Sequence, residues 1–563
     1  MPNFACLKTE YERDIPEIPF SEYPRPMLKR NSYICLNGVW DFYIERKGKK
    51  AFAGNILVPF VPESRISGVE QAIKKGDLLV YERKFKLAED LAGKRILLHI
   101  GACDQECKVY INNTLVAENI GGYLPIDVDI TDFAVKGENA IKVIARDDMD
   151  IELPYGKQTN KRGGMWYTQI SGIWQTVWAE IVPENYIEKL YITPDLKGVD
   201  IKVAGGLAEK TVIFKGREYR FEGETVRIEV ESPIYWSPEN PHLYEFVLIS
   251  GEDRIESYFA LRTVEIKEIN GKSYICLNGN PYFFHGLLDQ GYFSDGIFLP
   301  ATEKGFLDDI CTMKDCGFNM LRKHIKLEPD IFYYYCDKMG MLVFQDFVNS
   351  GRYSFFIDTA LPTIGLKRGI KHKATKKRRK HFQSTAFGTM DLLYNHPCVL
   401  YYTVFNEGWG QYEADNNYKI FKDYDKTRIF DTTSGWFFEN LTDVESHHVY
   451  FKPVKLKAVK GKPLVLSEFG GYSYVVKNHA FNLAKNYGYK TFKTQKEFQE
   501  GLLALYNTQI IPAVKEQGLN GAVLTQVSDV EDETNGLLTY DRRVLKVDKA
   551  VMRQLGDKLK ALL

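Results

Sequence analysis

Two stretches decide the fold: Val399-Leu400-Tyr401-Tyr402-Thr403-Val404-Phe405-Asn406-Glu407-Gly408-Trp409 and Pro463-Leu464-Val465-Leu466-Ser467-Glu468-Phe469-Gly470-Gly471. Each is an unbroken run of β-branched, aromatic and aliphatic residues, as expected of a strand buried on both faces in a helix-covered parallel sheet. A carboxylate is costly inside such a strand, so each glutamate belongs at the C-terminal end, in a mouth rather than a core. Glu407 and Glu468 stand 61 residues apart, room for about two βα units, which puts both on one rim.

Working outward, the region from about 270 alternates strands with helical runs. Eight strands are expected, at Tyr282–His285, Phe318–Arg322, Met341–Asp346, Cys398–Phe405, Arg428–Asp431, Ser446–Tyr450, Pro463–Glu468 and Gly521–Gln526. Glu303–Cys316 and Pro329–Met339 are amphipathic with a helical period. Eight strands with helices in some 290 residues predict a (β/α)8 barrel over 265–563, its site at the C-terminal strand ends. Polar residues gather at those ends: Arg322, His324, Asp346, Asn406, Glu407, His448, Tyr450, Glu468, Gln526 and Asp529.

Residues 1–182 carry short alternating runs such as Ile96-Leu97-Leu98-His99-Ile100, separated by turn pairs such as Asn112-Asn113, and predict a jelly-roll β-sandwich. Glycines beside aromatics in Arg162-Gly163-Gly164-Met165-Trp166-Tyr167 form a loop able to carry Trp166 or Tyr167 toward a sugar face. Residues 183–264, short strands without helical period, predict an immunoglobulin-like β-sandwich acting as a spacer.

Lys+Arg and Asp+Glu both number 74, so no global field favours nucleic acid or an anionic membrane. The N-terminus lacks a basic segment followed by an apolar run, which favours the cytoplasm. Nine cysteines without a CxxC read as free thiols rather than metal ligands, and no metal or other cofactor is expected. A homo-oligomer is compatible with the sequence. Asn349 to Gln383 forms a basic insertion holding Lys367, Arg368, Lys371, Lys373, Lys376, Lys377, Arg378, Arg379 and Lys380, expected as a solvated, mobile face; a lid or a collar for acidic glycosides is the alternative.

Paired carboxylates on rigid supports suit glycosidic bond hydrolysis, where one protonates the leaving oxygen and the other attacks or activates water. Tyr23-Pro24-Arg25-Pro26, Leu36-Asn37-Gly38-Val39-Trp40, Ser171-Gly172-Ile173-Trp174, Trp236-Ser237-Pro238-Glu239-Asn240-Pro241, Asn406-Glu407 and Ser467-Glu468-Phe469-Gly470 together resemble glycoside hydrolase family 2, which includes β-galactosidases, β-glucuronidases and β-mannosidases. The resemblance covers nearly the whole chain. It implies a retaining, exo-acting β-glycosidase with Glu407 as acid/base and Glu468 as nucleophile. It also implies that Arg322 and Tyr450 hold Glu468 and that Asn406 binds the sugar 2-hydroxyl.

Trp409 and the charge of Glu468 should keep Glu407 protonated. His324 and His448 stand equally for site or core roles. Asp289 and Gln290, in the run Asp289-Gln290-Gly291-Tyr292, are a candidate clamp for sugar hydroxyls, and the resemblance to the part of the family that carries this run implies a β-galactosidase-like activity. β-Glucuronidase is disfavoured because no Asn-x-Lys follows Glu468, while arabinosidase or galactofuranosidase activity is compatible with the family. A carbohydrate-binding protein without turnover is the alternative in another class, disfavoured by the persistence of both carboxylates.

Overall fold

The computed structural model describes residues 6–87, 91–366 and 373–563. In the N-terminal region two antiparallel sheets face each other. One holds four strands, in the order Tyr33–Cys35, Val177–Pro183, Lys94–Ile100 and Ile126–Asp129; the other holds six, including Gly38–Arg46, Leu78–Leu87 and Gly137–Arg146. Burial alternates along Gly38–Arg46 and Gly137–Arg146, so every second side chain enters a shared core that includes Trp40, Tyr81, Leu98, Val109, Val143 and Val177. A smaller sandwich of three and four strands spans Ile187–Pro194 to Asp253–Phe259, around Ile201, Val212, Phe246 and Phe259.

The barrel strands are β1 (Phe284–Asp289), β2 (Met320–Lys323), β3 (Leu342–Asp346), β4 (Val399–Asn406), β5 (Ile429–Ser434), β6 (Glu445–Val449), β7 (Leu464–Gly470) and β8 (Leu519–Thr525). They form one parallel sheet ordered β5-β4-β3-β2-β1-β8-β7-β6. No backbone ladder joins β5 to β6 among the described residues, and the ring is nearly closed; the Ser446 hydroxyl of β6 donates to Asp431 of β5 across that seam at 2.9 Å. Both stretches first singled out are buried over their full strand length, β4 and β7 alike.

Among the described residues six α-helices of ten residues or more accompany the ring: α1 (Lys304–Asp315), α2 (Asp330–Met339), α3 (Lys376–Leu393), α4 (Ala414–Tyr424), α5 (Gln495–Leu505) and α6 (Lys549–Lys560). The eight-helix pattern is broken after β5 and β6, where residues 435–444 and 450–463 hold no helix among the described residues. Those links are short, and the longer carries Pro453 and Pro463.

Buried ion pairs and hydrogen bonds tie the three regions together. Arg30 bonds Asp253 at 2.9 Å and Glu180 at 3.2 Å, joining the two sandwiches. Arg262 donates to the carbonyls of Pro397 and Val399 at the foot of β4, both at 3.0 Å. No helix among the described residues is long and apolar enough to cross a membrane.

The described part of the basic insertion is solvated at Lys373, Lys376, Lys377 and Lys380, as expected, but is more ordered than a mobile face. Lys376 to Lys380 open helix α3, capped by the Thr375 hydroxyl. Arg378 is buried and donates to the Lys373 carbonyl at 2.7 Å; Lys377 pairs with Asp150 of the first sandwich at 2.6 Å, and Arg379 pairs with Glu413. Lys367, Arg368 and Lys371 lie outside the described residues.

Candidate active site

Strand β4 ends in a local deformation. Glu407 adopts φ +54°, a left-handed conformation that non-glycine residues enter at a cost and hold only when the surroundings fix it. Its N–H donates to the Ser434 carbonyl at 2.9 Å, and its carbonyl accepts from the Trp436 indole at 2.9 Å. Gly408 follows at φ +76°; a Cβ there would lie 2.0 Å from the Phe437 ring. Strand β7 is irregular in its pairing with β8 between Leu466 and Phe469, and β6 is irregular between His447 and His448. Such bulges re-aim side chains at a barrel rim.

The result is a cluster in which one carboxylate oxygen of Glu407, one of Glu468 and a ring nitrogen of His448 lie within 4.8 Å of one another. His448 Nδ1 is 2.7 Å from Glu407 Oε1 and 3.5 Å from Glu468 Oε2. Its Nε2 lies 3.3 Å from an Arg322 nitrogen. A guanidinium only donates, so Nε2 accepts and the ring proton sits on Nδ1, directed at Glu407. The side chain of Glu407 is 14 % exposed and that of Glu468 5 %, so the cluster lies at an opening.

Arg322, at the end of β2 and buried, organises the cluster. It donates to Asp346 (3.0 Å), the Ser467 carbonyl (2.9 Å), Glu468 Oε1 (3.1 Å) and Asn406 Oδ1 (2.9 Å). The other oxygen of Glu468 accepts from the Tyr450 hydroxyl at 2.5 Å, and that hydroxyl also meets Thr525 at 2.9 Å. Tyr450 is fixed by stacking on Tyr489, centroids 3.9 Å apart. His324 is bound to Asp346 at 2.7 Å. Burial drives both rings, His324 and His448, down to about 3, so they are neutral.

The carboxylates differ in their surroundings. Burial pushes Glu407 up to about 7, partly opposed by the charges of Lys157 and Arg322. Burial also raises Glu468, as does neighbouring Glu407, but His448, Arg322 and the Tyr450 hydroxyl oppose the shift. Glu468 thus holds two strong donors, Arg322 and Tyr450, that Glu407 lacks. A proton shared in the pocket therefore belongs on Glu407.

The remaining expected residues divide. Gln290 donates to Gln526 Oε1 at 2.9 Å, leaving Gln290 Oε1 and Gln526 Nε2 buried without partners beside β8. Trp166 does arrive from the first sandwich, its ring 5.0 Å from that of Trp409 and 5.1 Å from Tyr353. Trp409 is buried in this aromatic group and donates to the Gly351 carbonyl at 2.8 Å.

Two of the expected residues have their carboxylates engaged within the protein. The Asp289 carboxylate is taken by buried Lys323 (2.7 Å) and by the Gly291 N–H (2.9 Å). That of Asp529 is taken by buried Lys546 (2.5 Å) and the Gly536 N–H (2.9 Å). A buried lysine needs a counter-charge, and both aspartates supply one at the rim.

Sequence reading missed Trp436, Thr525, Tyr489, Lys157 and Glu533. Trp436 and Tyr489 come from loops crossing the mouth, and Thr525 is the last residue of β8, a generic hydroxyl that nothing in the sequence marks. Lys157 is one cation among several in its loop, with no spacing to mark it.

A second group able to hold a metal, Asp337, His396 and Cys398, lies away from the barrel mouth. His396 is gripped there by Asp337 (2.6 Å) and Asp330 (2.5 Å), and Asp337 also accepts the Cys398 N–H at 2.8 Å, so the donors are used internally.

Residues 59–179 match the glycosyl hydrolases family 2 sugar binding domain, 185–262 the family 2 domain that follows it, and 267–555, about half the chain, the family 2 TIM barrel domain. The chain belongs to glycoside hydrolase family 2. A β-galactosidase of Thermoanaerobacter pseudethanolicus is 26 % identical over 440 residues, covering 71 % of this chain and 54 % of that protein. A β-glucuronidase of Streptococcus agalactiae is 23 % identical over 440 residues, with 72 % of each chain covered. Among solved structures, a β-glucuronidase from an uncultured Clostridium superposes with a TM-score of 0.76 at 18 % identity, covering 94 % of this chain and 99 % of that one. The chain spans about half the length of the first curated relatives it matches.

Proposed function

We propose that this family 2 chain is a retaining, exo-acting β-glycosidase in which Glu407 is the acid/base and Glu468 the nucleophile. The observation that carries the reading is the approach of the two carboxylates to within 4.8 Å around His448. Retaining enzymes hold their carboxyls about 5–5.5 Å apart, whereas inverting ones leave about 6.5–9.5 Å for a water.

In this scheme the Glu407 proton passes to the glycosidic oxygen as Glu468 attacks the anomeric carbon, and the leaving alcohol departs. Glu407, now a carboxylate, takes a proton from water, which displaces Glu468 and restores both groups. Asn406, oriented by Arg322, binds a sugar hydroxyl in this reading, and the unpartnered Gln290 Oε1 and Gln526 Nε2 offer a further acceptor and donor. Exo action is supported by the loop of the first sandwich that closes over the mouth: the Tyr167 hydroxyl donates to Glu533, and the Thr168 N–H to Glu531 at 3.0 Å.

The relatives are named for β-galactosides and β-glucuronides, and both sugars stand as substrates to be tested. The Asp289 carboxylate, the candidate clamp for sugar hydroxyls, is also a counter-charge of Lys323. Proton NMR of the first sugar released from nitrophenyl β-glycosides tests the mechanism. The β-anomer is expected before mutarotation; the α-anomer appearing first would refute retention.

A further inference from the structure

Five lysines are buried among the described residues: Lys157, Lys210, Lys323, Lys326 and Lys546. Four of them donate to oxygen. Lys323 bonds Asp289 and Glu328, Lys326 bonds Glu328 and two carbonyls, Lys546 bonds Asp529, and Lys210 bonds the carbonyls of Leu207 and Gly223. Lys157 is the exception. Only 8 % exposed, its ammonium has the Met165 thioether at 3.9 Å as hydrogen-bond partner and the Trp166 ring face at 5.5 Å. Sulfur is a weak acceptor, and a ring face repays only part of the cost of taking an ammonium out of water.

The chain takes trouble to hold this cation at the mouth. Gly156 has φ +68°, and a Cβ there would lie 2.8 Å from the Ile325 carbonyl and 2.9 Å from the Tyr123 hydroxyl, so only glycine lets the loop press onto the barrel after β2. Gln158–Thr159 pairs with Tyr167–Thr168, and the Tyr167 N–H donates to the Lys157 carbonyl at 3.1 Å. Tyr167 and Thr168 in turn latch onto Glu533 and Glu531 after β8. The Lys157 charge acts on Glu407, Glu533 and His324, which places it among the groups of the mouth. Glu533 is no ion-pair partner: its oxygens accept from Tyr167 and from Asn535 at 2.9 Å.

We propose that Lys157, delivered by the first sandwich, is a specificity-determining residue that receives an acidic substituent of the bound sugar, a carboxylate or a sulfate ester. The inference rests on the glycosidase reading and names its substrate class. A ligand anion supplies the missing counter-charge, and a charge-assisted hydrogen bond in a desolvated site discriminates strongly against a sugar that lacks the group.

The test compares wild type with Lys157→Met and Lys157→Arg on nitrophenyl β-glucuronide, β-galacturonide, β-galactoside and β-galactoside 6-sulfate. In wild type, kcat/KM is expected to be highest on an acidic substrate, and the acidic arms separate carboxylate from sulfate. Lys157→Met should lower the ratio of acidic to neutral kcat/KM by about 10- to 150-fold, chiefly through KM, with partial recovery in Lys157→Arg. An unchanged ratio, or a wild type that prefers the neutral galactoside, overturns the assignment. Binding of free glucuronate, galacturonate and galactose, followed by ligand-observed NMR with the full chain, reads Lys157 independently of turnover. Weaker binding of the acids alone in Lys157→Met supports the proposal even if no glycoside is hydrolysed, whereas equal weakening of all three overturns it.

Discussion

Replacing Tyr450 with phenylalanine isolates one of the two strong donors that hold Glu468. The hydroxyl lies 2.5 Å from Glu468 Oε2 and 2.9 Å from Thr525, while Arg322 keeps its 3.1 Å contact with Oε1. A hydrogen bond to a charged group contributes about 1.5–3 kcal/mol, and each 1.36 kcal/mol is a factor of ten, so kcat/KM should fall about 10- to 150-fold. The sign of the pH effect follows from the same contact. The hydroxyl opposes the upward pull of burial on Glu468, so its removal raises that pKa further and moves the acidic limb of the pH–kcat/KM profile to higher pH. The ring and its stacking on Tyr489 remain, so the melting temperature should drop by no more than about 4 °C. Steady-state kinetics on the best nitrophenyl β-glycoside from pH 4 to 9 measure the first two effects, and thermal unfolding followed by circular dichroism measures the third. An acidic limb that stays in place, with kcat/KM within about threefold of wild type, would refute the role given to this contact.

Glu468→Gly should abolish turnover and be rescued by azide as the inverted glycosyl azide, identified by mass and NMR, whereas Glu407→Ala should spare substrates with good leaving groups, checked by kcat/KM across aglycones of different acidity. With Glu407 raised to about 7 by burial, the protonated acid is lost as pH rises, so kcat/KM should decline above about pH 7 and the limb should vanish in Glu407→Ala. Gly435 has φ +93°, and a Cβ would lie 2.7 Å from His448 Cγ. Gly435→Ala should therefore displace the ring that bridges the carboxylates, cost about 1–3 kcal/mol in denaturant unfolding and lower kcat far more than it raises KM. His396 is driven down by burial but raised to about 10 on balance by Asp337 and Asp330. Its stabilisation is full below its unfolded pKa near 6.5 and is lost as pH rises through about 10. His396→Asn should cost about 3–5 kcal/mol at pH 6, and the gap from wild type should narrow by pH 10 in urea titrations.

Much of this molecule was legible in linear order. A parallel strand covered on both faces must be apolar throughout, so the runs ending at Asn406 and Glu468 announced barrel strands and the place where each glutamate would emerge. Amphipathic period gave helices α1 and α2 nearly to the residue, at Lys304–Asp315 and Asp330–Met339. Local chemistry sufficed because each of these features follows from contacts among neighbours in sequence.

Tertiary structure decided which polar side chains were spent on one another. Asp289 and Asp529 had the same linear credentials as Arg322 and Tyr450, but their partners Lys323 and Lys546 come from another strand and a following loop. The position of Lys157 was equally hidden, because it depends on Gly156 pressing against Ile325 some 170 residues away and on latches to Glu531 and Glu533 near the other end of the chain. Sequence order fixes which residues follow a buried strand; charge pairing across a barrel mouth is settled only when distant segments compete for the same few counter-ions in a space closed to water.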